Sequence, residues 1–115
     1  MTSKQIGERL RKRALKYPGT TEDHPWGETA IKVNGKVFLF LGEDGFSVKL
    51  PKSRDIAHDL PFTEPTHYGL GKHGWVTVHL DQKKKPTIDL IEAWLDESYR
   101  AVAPKKMVAQ LELED

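Results

Sequence analysis

The sequence predicts an α+β domain, because strand-like and helix-like residue patterns occupy separate parts of the chain. The middle of the chain alternates apolar and polar residues in short runs, and Asn34-Gly35 separates two β-rich runs. Asn-Gly favours a two-residue hairpin turn, because both turn residues need a positive φ. Apolar residues recur at helical spacing near both ends of the chain. The length of 115 residues fits one domain, 1–115.

The first predicted element is a helix with Ser3 as its N-cap, and Pro18-Gly19 ends it. Its apolar residues share one helical face: Ile6, Leu10, Ala14 and Tyr17. A stripe of basic residues lies beside that face: Arg9, Lys12, Arg13 and Lys16. We therefore expect this helix to bury its apolar face and to leave a cationic stripe in water.

Strands are predicted after a loop that runs from residue 20 to residue 28. They cover residues 29–33, 36–41, 46–50 and 75–80. We expect the first three to form an antiparallel meander. Ser53 is expected to cap a short helix through Leu60, with Ile56, Ala57 and Leu60 turned inward. A turn-rich connection follows over residues 61–74.

The last long helix is predicted to begin at the N-cap Thr87 and to end before Pro104. One face carries its apolar residues: Ile88, Ile91, Leu95, Tyr99 and Val102. Arg100 follows Asp96 by one helical turn, so we expect the two to form an ion pair. Residues 105–111 are expected to form a short terminal turn.

Composition and charge exclude several classes of protein. Because the chain has no cysteine, it has no disulfide framework, no thiol nucleophile, no iron–sulfur cluster and no cysteine zinc site. The first residues lack a continuous apolar stretch, and no segment is long enough to cross a bilayer. We therefore expect a cytoplasmic protein without a signal peptide or a membrane partner. The net charge of +1 is unevenly spread, with basic residues concentrated before residue 22 and acidic residues after residue 85.

The sequence offers no constellation for catalysis. The G-x-G-x-x-G pattern of residues 69–74 precedes a strand, whereas a dinucleotide fingerprint follows a strand and opens a helix. Ser47 lacks the second glycine of a nucleophile elbow. The five histidines have no metal-binding spacing, although loops could bring His67 and His73 together. We therefore expect no enzymatic activity, no cofactor and no metal.

Three groups of residues resemble motifs of the MmcQ/YjbR family. The first comprises residues 15–22 (LKYPGTTE), 24–27 (HPWG) and 32–38; the second covers residues 68–76; the third covers residues 98–106. The resemblance implies a frataxin-like (CyaY-like) α+β fold, in which the N- and C-terminal helices pack on one face of an antiparallel β-sheet. It also implies a DNA-binding protein whose β-hairpins act as paired wings, a description that rests on the fold alone.

Basic residues near the predicted hairpins form the candidate DNA contact. They are Lys32, Lys36, Lys49, Lys52, Arg54 and Lys72. Long cationic side chains reach phosphates without base readout, although lysines on strands also prevent edge-to-edge pairing. The paucity of arginine at the hairpins argues against guanine recognition. We expect weak DNA binding, without sequence specificity, by a monomer.

The alternative function is binding of a small ligand or of a protein, with the loops 25–27 and 69–75 as pocket walls. Candidate residues in and beside these loops are His24, Trp26, Tyr68, His73 and Trp75. Large aromatic rings can stack on a ligand, but they more often close a core, and we expect Trp75 to be buried. The two functions have different requirements, since phosphate contact needs the lysines and a pocket needs the loops.

Overall fold

The computed structural model describes residues 1–67 and 69–114, apart from the side chains of Trp26 and Glu114. Its helices are α1 (Ser3–Ala14), α2 (Arg54–His58), α3 (Ile88–Val102) and α4 (Lys105–Glu114). Its strands are β1 (Thr20–Asp23), β2 (Thr29–Val33), β3 (Lys36–Leu41), β4 (Gly45–Lys49), β5 (Thr63–Pro65) and β6 (Trp75–His79). Two 3₁₀ turns cover Pro25–Gly27 and Gly71–His73. None of the described helices is long and apolar enough to cross a membrane.

The strands form one antiparallel sheet in the order β1-β2-β3-β4-β6-β5. Both α1 and α3 pack against β3 and β4. Leu10 of α1 and Leu95 of α3 lie in one hydrophobic core with Leu39 and Val48 of the sheet. The predicted α+β class, an antiparallel sheet with the terminal helices on one face, is therefore confirmed. We call that side of the sheet the helix face and the other side the open face.

The outer strands β1 and β5 correct the prediction, which places residues 20–23 in a loop and residues 63–65 in a turn-rich connection. The two strands have four and three residues, respectively, and neither contains an apolar run. Pro65 cannot donate a backbone hydrogen bond, and an edge strand tolerates it. Segments this short and polar become strands only because a longer neighbour supplies their hydrogen bonds.

The helices also differ from the prediction in detail. The terminal segment forms a ten-residue helix, α4, rather than a short turn. Helix α2 has five residues, so only Ala57 is buried, and Ile56 is 71% exposed, contrary to expectation. The N-cap of α1 is Thr2 rather than Ser3, since the Thr2 hydroxyl accepts from the N–H of Gln5 at 3.1 Å. This pairing completes a capping box, which Ser3 could not form one residue later.

Strand β3 contains a bulge opposite β2. Ile31 pairs with Leu39, but the next residue, Lys32, pairs with Val37, so Phe38 is an extra residue in β3. Phe38 and Leu39 are both fully buried, although neighbours on a regular strand point to opposite faces. The bulge therefore sends two adjacent side chains into the same core.

Ser98 of α3 bridges the bulge to the neighbouring strand. Its hydroxyl donates to the carbonyl of Phe38 at 2.5 Å and accepts from the N–H of Lys49 at 2.8 Å. The last regular pair before this point is Leu39 with Val48, so the hydroxyl takes the place of the next β3–β4 backbone hydrogen bond. Both backbone groups thus keep a partner in a core where an unpaired group costs about 1–3 kcal/mol.

Three aromatic rings fill the core between α1, α3 and β3. Tyr17 stacks on Tyr99 with ring centroids 4.5 Å apart, and Phe38 packs edge-on against both. The Tyr99 hydroxyl donates to the carbonyl of Pro18 at 2.7 Å. The Tyr17 hydroxyl donates to Asp96 at 3.2 Å, and burial, with a smaller effect of the Asp96 charge, raises the pKa of Tyr17 to about 12. The first and third family motifs therefore meet in the core.

Replacement of Ser98 should destabilise the protein more than replacement of an open-face serine. Ser98→Ala leaves the Phe38 carbonyl and the Lys49 N–H unpaired, so we expect a loss of about 2–4 kcal/mol in the free energy of unfolding. Ser47→Ala is the matched control: it removes a hydroxyl bonded to another hydroxyl, and we expect a loss below about 1 kcal/mol. Urea denaturation of both variants measures the difference. Equal losses would contradict the bridging role of Ser98.

Tyr17→Phe should flatten the alkaline limb of the stability profile. The folded protein holds the Tyr17 proton up to a pKa of about 12, whereas the unfolded chain releases it near pH 10. Because the folded pKa is raised, the stabilisation is complete below about pH 10 and is lost as the pH rises through about 12. Urea titrations between about pH 9 and about pH 12 should show the wild type losing stability faster than the variant. Parallel profiles would mean that Tyr17 titrates alike in both states.

Candidate functional site

Two hairpin loops lie at the same end of the sheet: the predicted β2–β3 turn and the loop between β5 and β6, which was not predicted as a hairpin. The β2–β3 turn, residues 34–35, leads into the start of β3, and the loop 66–74 leads from β5 into the start of β6. Because β3 and β6 flank β4 and run antiparallel to it, their starts lie beside the end of β4. We call this edge of the sheet, with its two loops, the wing end. The two loops are separated by two strand spacings, about 10 Å.

The β2–β3 turn presents two lysines with different surroundings. Asn34 and Gly35 have φ values of 52° and 79°, as the predicted turn requires. Lys36 is exposed where β3 begins. Lys32 instead lies with its Nζ 2.9 Å from the Oδ2 of Asp23 in β1, and this hydrogen bond, with a backbone N–H, lowers the pKa of Asp23. Lys36 is therefore the more available cation of this hairpin.

The second loop contributes to a cationic cleft. Two adjoining depressions of about 440 Å³ and 330 Å³ lie between α2 and the loop. Arg54 and Lys72 line both depressions, while Lys52 and His73 line the smaller one. Asp55 is the carboxylate at this site, with its Oδ1 3.7 Å from the Nε of Arg54. The excess of cations favours an anionic ligand such as phosphate.

The glycine-rich segment is a compact turn rather than a dinucleotide-binding loop. It ends in a 3₁₀ turn, and Trp75 then opens β6. A Cβ on Gly71 would lie 2.8 Å from the Cβ of Pro65, so glycine allows the loop to pack against β5. The N–H of Leu50 donates to the carbonyl of Gly74 at 2.8 Å and joins the loop to the end of β4.

Glu97 of α3 fixes the backbone that carries Lys52. Its carboxylate accepts from the N–H groups of Lys52 and Ser53 at 3.0 and 3.1 Å, and from the Ser53 hydroxyl at 2.6 Å. Ser53 occupies the predicted N-cap position of α2, but its side chain makes no capping hydrogen bond to that helix. The sequence gives no sign of this contact, which joins residues 44 positions apart.

The open face of the sheet carries a groove of about 830 Å³, which we call the open-face groove. Pro25 from the loop 25–27 and Leu70 from the loop 66–74 both line it. Its floor contains Phe40, Ser47 and Thr77 from the adjacent strands β3, β4 and β6. Both loops predicted to form pocket walls therefore contribute to one pocket.

Three hydroxyl groups form a chain in this groove. Ser47 and Thr77 lie 2.8 Å apart, oxygen to oxygen, and Thr66 lies 3.0 Å from Thr77. The sequence prediction did not include these residues or Phe40. Their alternation with buried neighbours along β3, β4 and β6 was the available signal, because every second side chain of a strand points to the same face.

The histidines meet a carboxylate at the edge of the groove. The Nε2 of His79 lies 3.2 Å from the Oε1 of Glu64, and the Nε2 of His67 lies 3.5 Å from the same atom. His67 thus approaches His79, whereas His73 lines the cationic cleft. Within residues 1–67 and 69–114, no group of three or more acidic or histidine side chains could hold a metal ion.

Trp75 lies at the wing end of the open face. It is 8% exposed, in agreement with the expected burial, and its ring centroid lies 5.4 Å from that of Phe40. Lys49 pairs with Trp75 across β4 and β6, so its half-buried side chain also extends from the open face. An aromatic pair and a cation are therefore adjacent where the groove approaches the wing end.

Of the other candidate residues, His24 does not line the groove. His24 is exposed, with its Nε2 2.7 Å from the Oε2 of Glu22. Tyr68 and the side chain of Trp26 lie outside the described residues. In α3, the expected ion pair forms, with the Nε of Arg100 2.7 Å from the Oδ2 of Asp96.

These features define a small α+β protein with a six-stranded antiparallel sheet, one helix-covered face and one open face. A family model described as YjbR matches residues 15–101 of the chain. The protein therefore belongs to the YjbR family, in agreement with its motifs. A search of curated proteins gave no significant match.

Loss of the Glu97 carboxylate should loosen the backbone of the cationic cleft. In Glu97→Ala, the N–H groups of Lys52 and Ser53 lose their acceptor, so their hydrogen exchange should accelerate by at least about tenfold. Glu92→Ala is the control, because Glu92 lies on the same helix but pairs with arginines of α1. Amide exchange followed by NMR distinguishes the variants. Unchanged protection of both amides in Glu97→Ala would show that the carboxylate does not hold this segment.

Proposed function

We propose that this protein binds DNA through the phosphate backbone, with the wing end as its contact surface, and performs no chemistry on it. The observation that supports this function is position, since the β2–β3 turn, the β5–β6 loop and the cationic cleft lie at one end of the sheet. The cations there are Lys36, Lys49, Lys52, Arg54 and Lys72. These five cations outnumber the carboxylates beside them, Asp55 and Glu97, whereas positive and negative charges nearly balance over the whole chain, with a net charge of +1.

The side chains at the wing end favour phosphate contact over base recognition. Apart from Arg54, the cations are lysines, which act as flexible point charges, whereas arginine recognises guanine through two parallel hydrogen bonds. Lys32 contributes least, because Asp23 already neutralises it. Binding is therefore weak, salt-sensitive and independent of sequence. A monomer is sufficient, because one chain carries both wings.

Charge reversal at the wing end should weaken DNA binding more than the same change elsewhere. The variant Lys36→Glu/Lys52→Glu/Lys72→Glu replaces three lysines that can reach phosphates, so we expect affinity to fall by at least about tenfold at low salt. The matched control reverses exposed lysines of the loop after β6, at the opposite end of the sheet: Lys83, Lys84 and Lys85. Fluorescence anisotropy with labelled single- and double-stranded DNA at several salt concentrations measures both.

The salt dependence separates a defined interface from general attraction. For duplex DNA, the slope of log affinity against log salt should become shallower by roughly 0.9 for each phosphate that the variant no longer neutralises. If both triple variants weakened DNA binding equally, the wing end would not be a specific contact surface. If the wild type failed to bind at low salt, the DNA function itself would be rejected.

A second candidate function is binding of a small ligand or a protein segment in the open-face groove. Both predicted wall loops border this one pocket of about 830 Å³, which lies within the usual size range of small-molecule sites. The two functions use different surfaces of the same sheet. Groove binding should therefore survive charge reversal at the wing end.

A further inference from the structure

We propose that the open-face groove binds a small aromatic molecule with a positive charge, such as an arylalkylamine. This inference rests on the second candidate function and is independent of DNA binding. The groove measures about 830 Å³, and small-molecule sites usually measure about 300–1,000 Å³. A bicyclic amine therefore fits without any movement of the sheet.

The floor of the groove favours a flat ring. Phe40 lies half-buried there, and the ring of Trp75 packs against the Phe40 ring on its wing-end side, with the centroids 5.4 Å apart. Pro25 and Leu70 add apolar surface from the two loops. A ligand ring placed on Phe40 removes apolar area from water, at about 25 cal/mol per Å², and gains an aromatic contact that an alkyl chain lacks.

The charged groups of the groove favour a cation. Two carboxylates line the groove: Glu28 just before β2, and Asp44 in the β3–β4 turn. The pairing of Thr29 with Leu41 brings these two segments together. Both carboxylates are exposed, and neither forms an ion pair with another described residue. No lysine or arginine of the described part of the chain lines the groove. A ligand ammonium group would therefore meet two uncompensated negative charges.

Two histidines at the edge of the groove face a further carboxylate. His67 and His79 both face the carboxylate of Glu64, at 3.5 and 3.2 Å, so a third negative group lies at the edge of the groove. An anionic ligand would approach carboxylates on both sides, while Lys49, which extends from the same face beside Trp75, does not line the groove. The groove is thus matched to a ligand of opposite sign to nucleic acid.

The hydroxyl chain provides a hydrogen-bond donor. Ser47, Thr77 and Thr66 have three O–H groups, and the two hydrogen bonds among them use two of those protons. One O–H therefore remains for an acceptor atom of the ligand. An aromatic amine with a hydroxyl or carbonyl oxygen could therefore place its ring on Phe40, its ammonium group near Glu28 and Asp44, and its oxygen at this donor.

Three indoles with the same ring and different charges test the inference. Tryptamine is a cation, tryptophol is neutral and indole-3-acetate is an anion. Each is titrated into the full chain, and binding is followed by NMR shifts of the amides of Ser47 and Thr77. We expect tryptamine to bind at least about tenfold more tightly than indole-3-acetate, with tryptophol between them, because the charge is the main difference.

Neutralising the two carboxylates should remove the preference. In Glu28→Gln/Asp44→Asn, the affinity for tryptamine should fall to that of tryptophol. The control, Glu43→Gln/Asp59→Asn, removes two exposed carboxylates that do not line the groove, and it should bind tryptamine like the wild type. Thermal unfolding of both variants checks that the fold is retained.

The outcomes separate the ligand class from the site and from DNA binding. Equal affinities for the three indoles, or an unchanged tryptamine affinity in the groove variant, would overturn the cation assignment and leave the groove as a ligand site. If none of the three indoles shifted the groove amides, both the inference and the second candidate function would be overturned. The DNA titrations change other residues, so their result does not depend on the outcome for the groove.

Discussion

The hydrogen bonds of Ser98 hold the two central strands in the arrangement on which both candidate sites depend. The hydroxyl joins the carbonyl of Phe38 in β3 to the N–H of Lys49 in β4, where a backbone hydrogen bond would otherwise continue the ladder. Because the bulge adds one residue to β3, Phe38 and Leu39 both enter the core, and Phe40 turns to the open face. A change of one residue in a strand exchanges its two faces. Without the bulge, the hairpin lysines and the aromatic floor could not both keep their present faces.

Buried residues of the family motifs build this core. The Tyr99 hydroxyl donates to Pro18, and Tyr17 stacks on Tyr99, so the beginning and the end of the matched region are joined. Gly71 of the central motif allows a loop to pack on β5. These residues are constrained by close packing and by buried hydrogen bonds, which allow few substitutions. Family membership therefore fixes the architecture, whereas the proposed ligands depend on surface residues, of which Lys36 and Lys72 lie within the motifs themselves.

Local signals in the sequence predict the hairpin and the long helices, and they fail where a contact joins distant residues. Asn34-Gly35 predicts the β2–β3 hairpin because turn chemistry is local. Strands β1 and β5 cannot be predicted from local sequence, because they form only through pairing with β2 and β6. The strand order is also non-local, since β6 pairs with β4 after the chain has passed through α2 and β5. The candidate site follows from these pairings: they place Lys72 near Lys52, and they bring Asp23 to Lys32.

The two candidate surfaces have opposite charge, and the sheet keeps them electrostatically separate. Lys36 begins β3 and Asp44 follows its end, so six residues of strand, about 20 Å, separate them. The Debye length is about 8 Å at physiological salt, so charges at Lys36 and Asp44 are largely screened from each other. Because 18 basic and 17 acidic residues nearly balance over the whole chain, the composition indicates neither surface. The loop 66–74 borders both sites, with Lys72 in the cleft and Leu70 in the groove. Because backbone hydrogen bonds fix that loop to β4, a chain of this length presents both surfaces without a second domain.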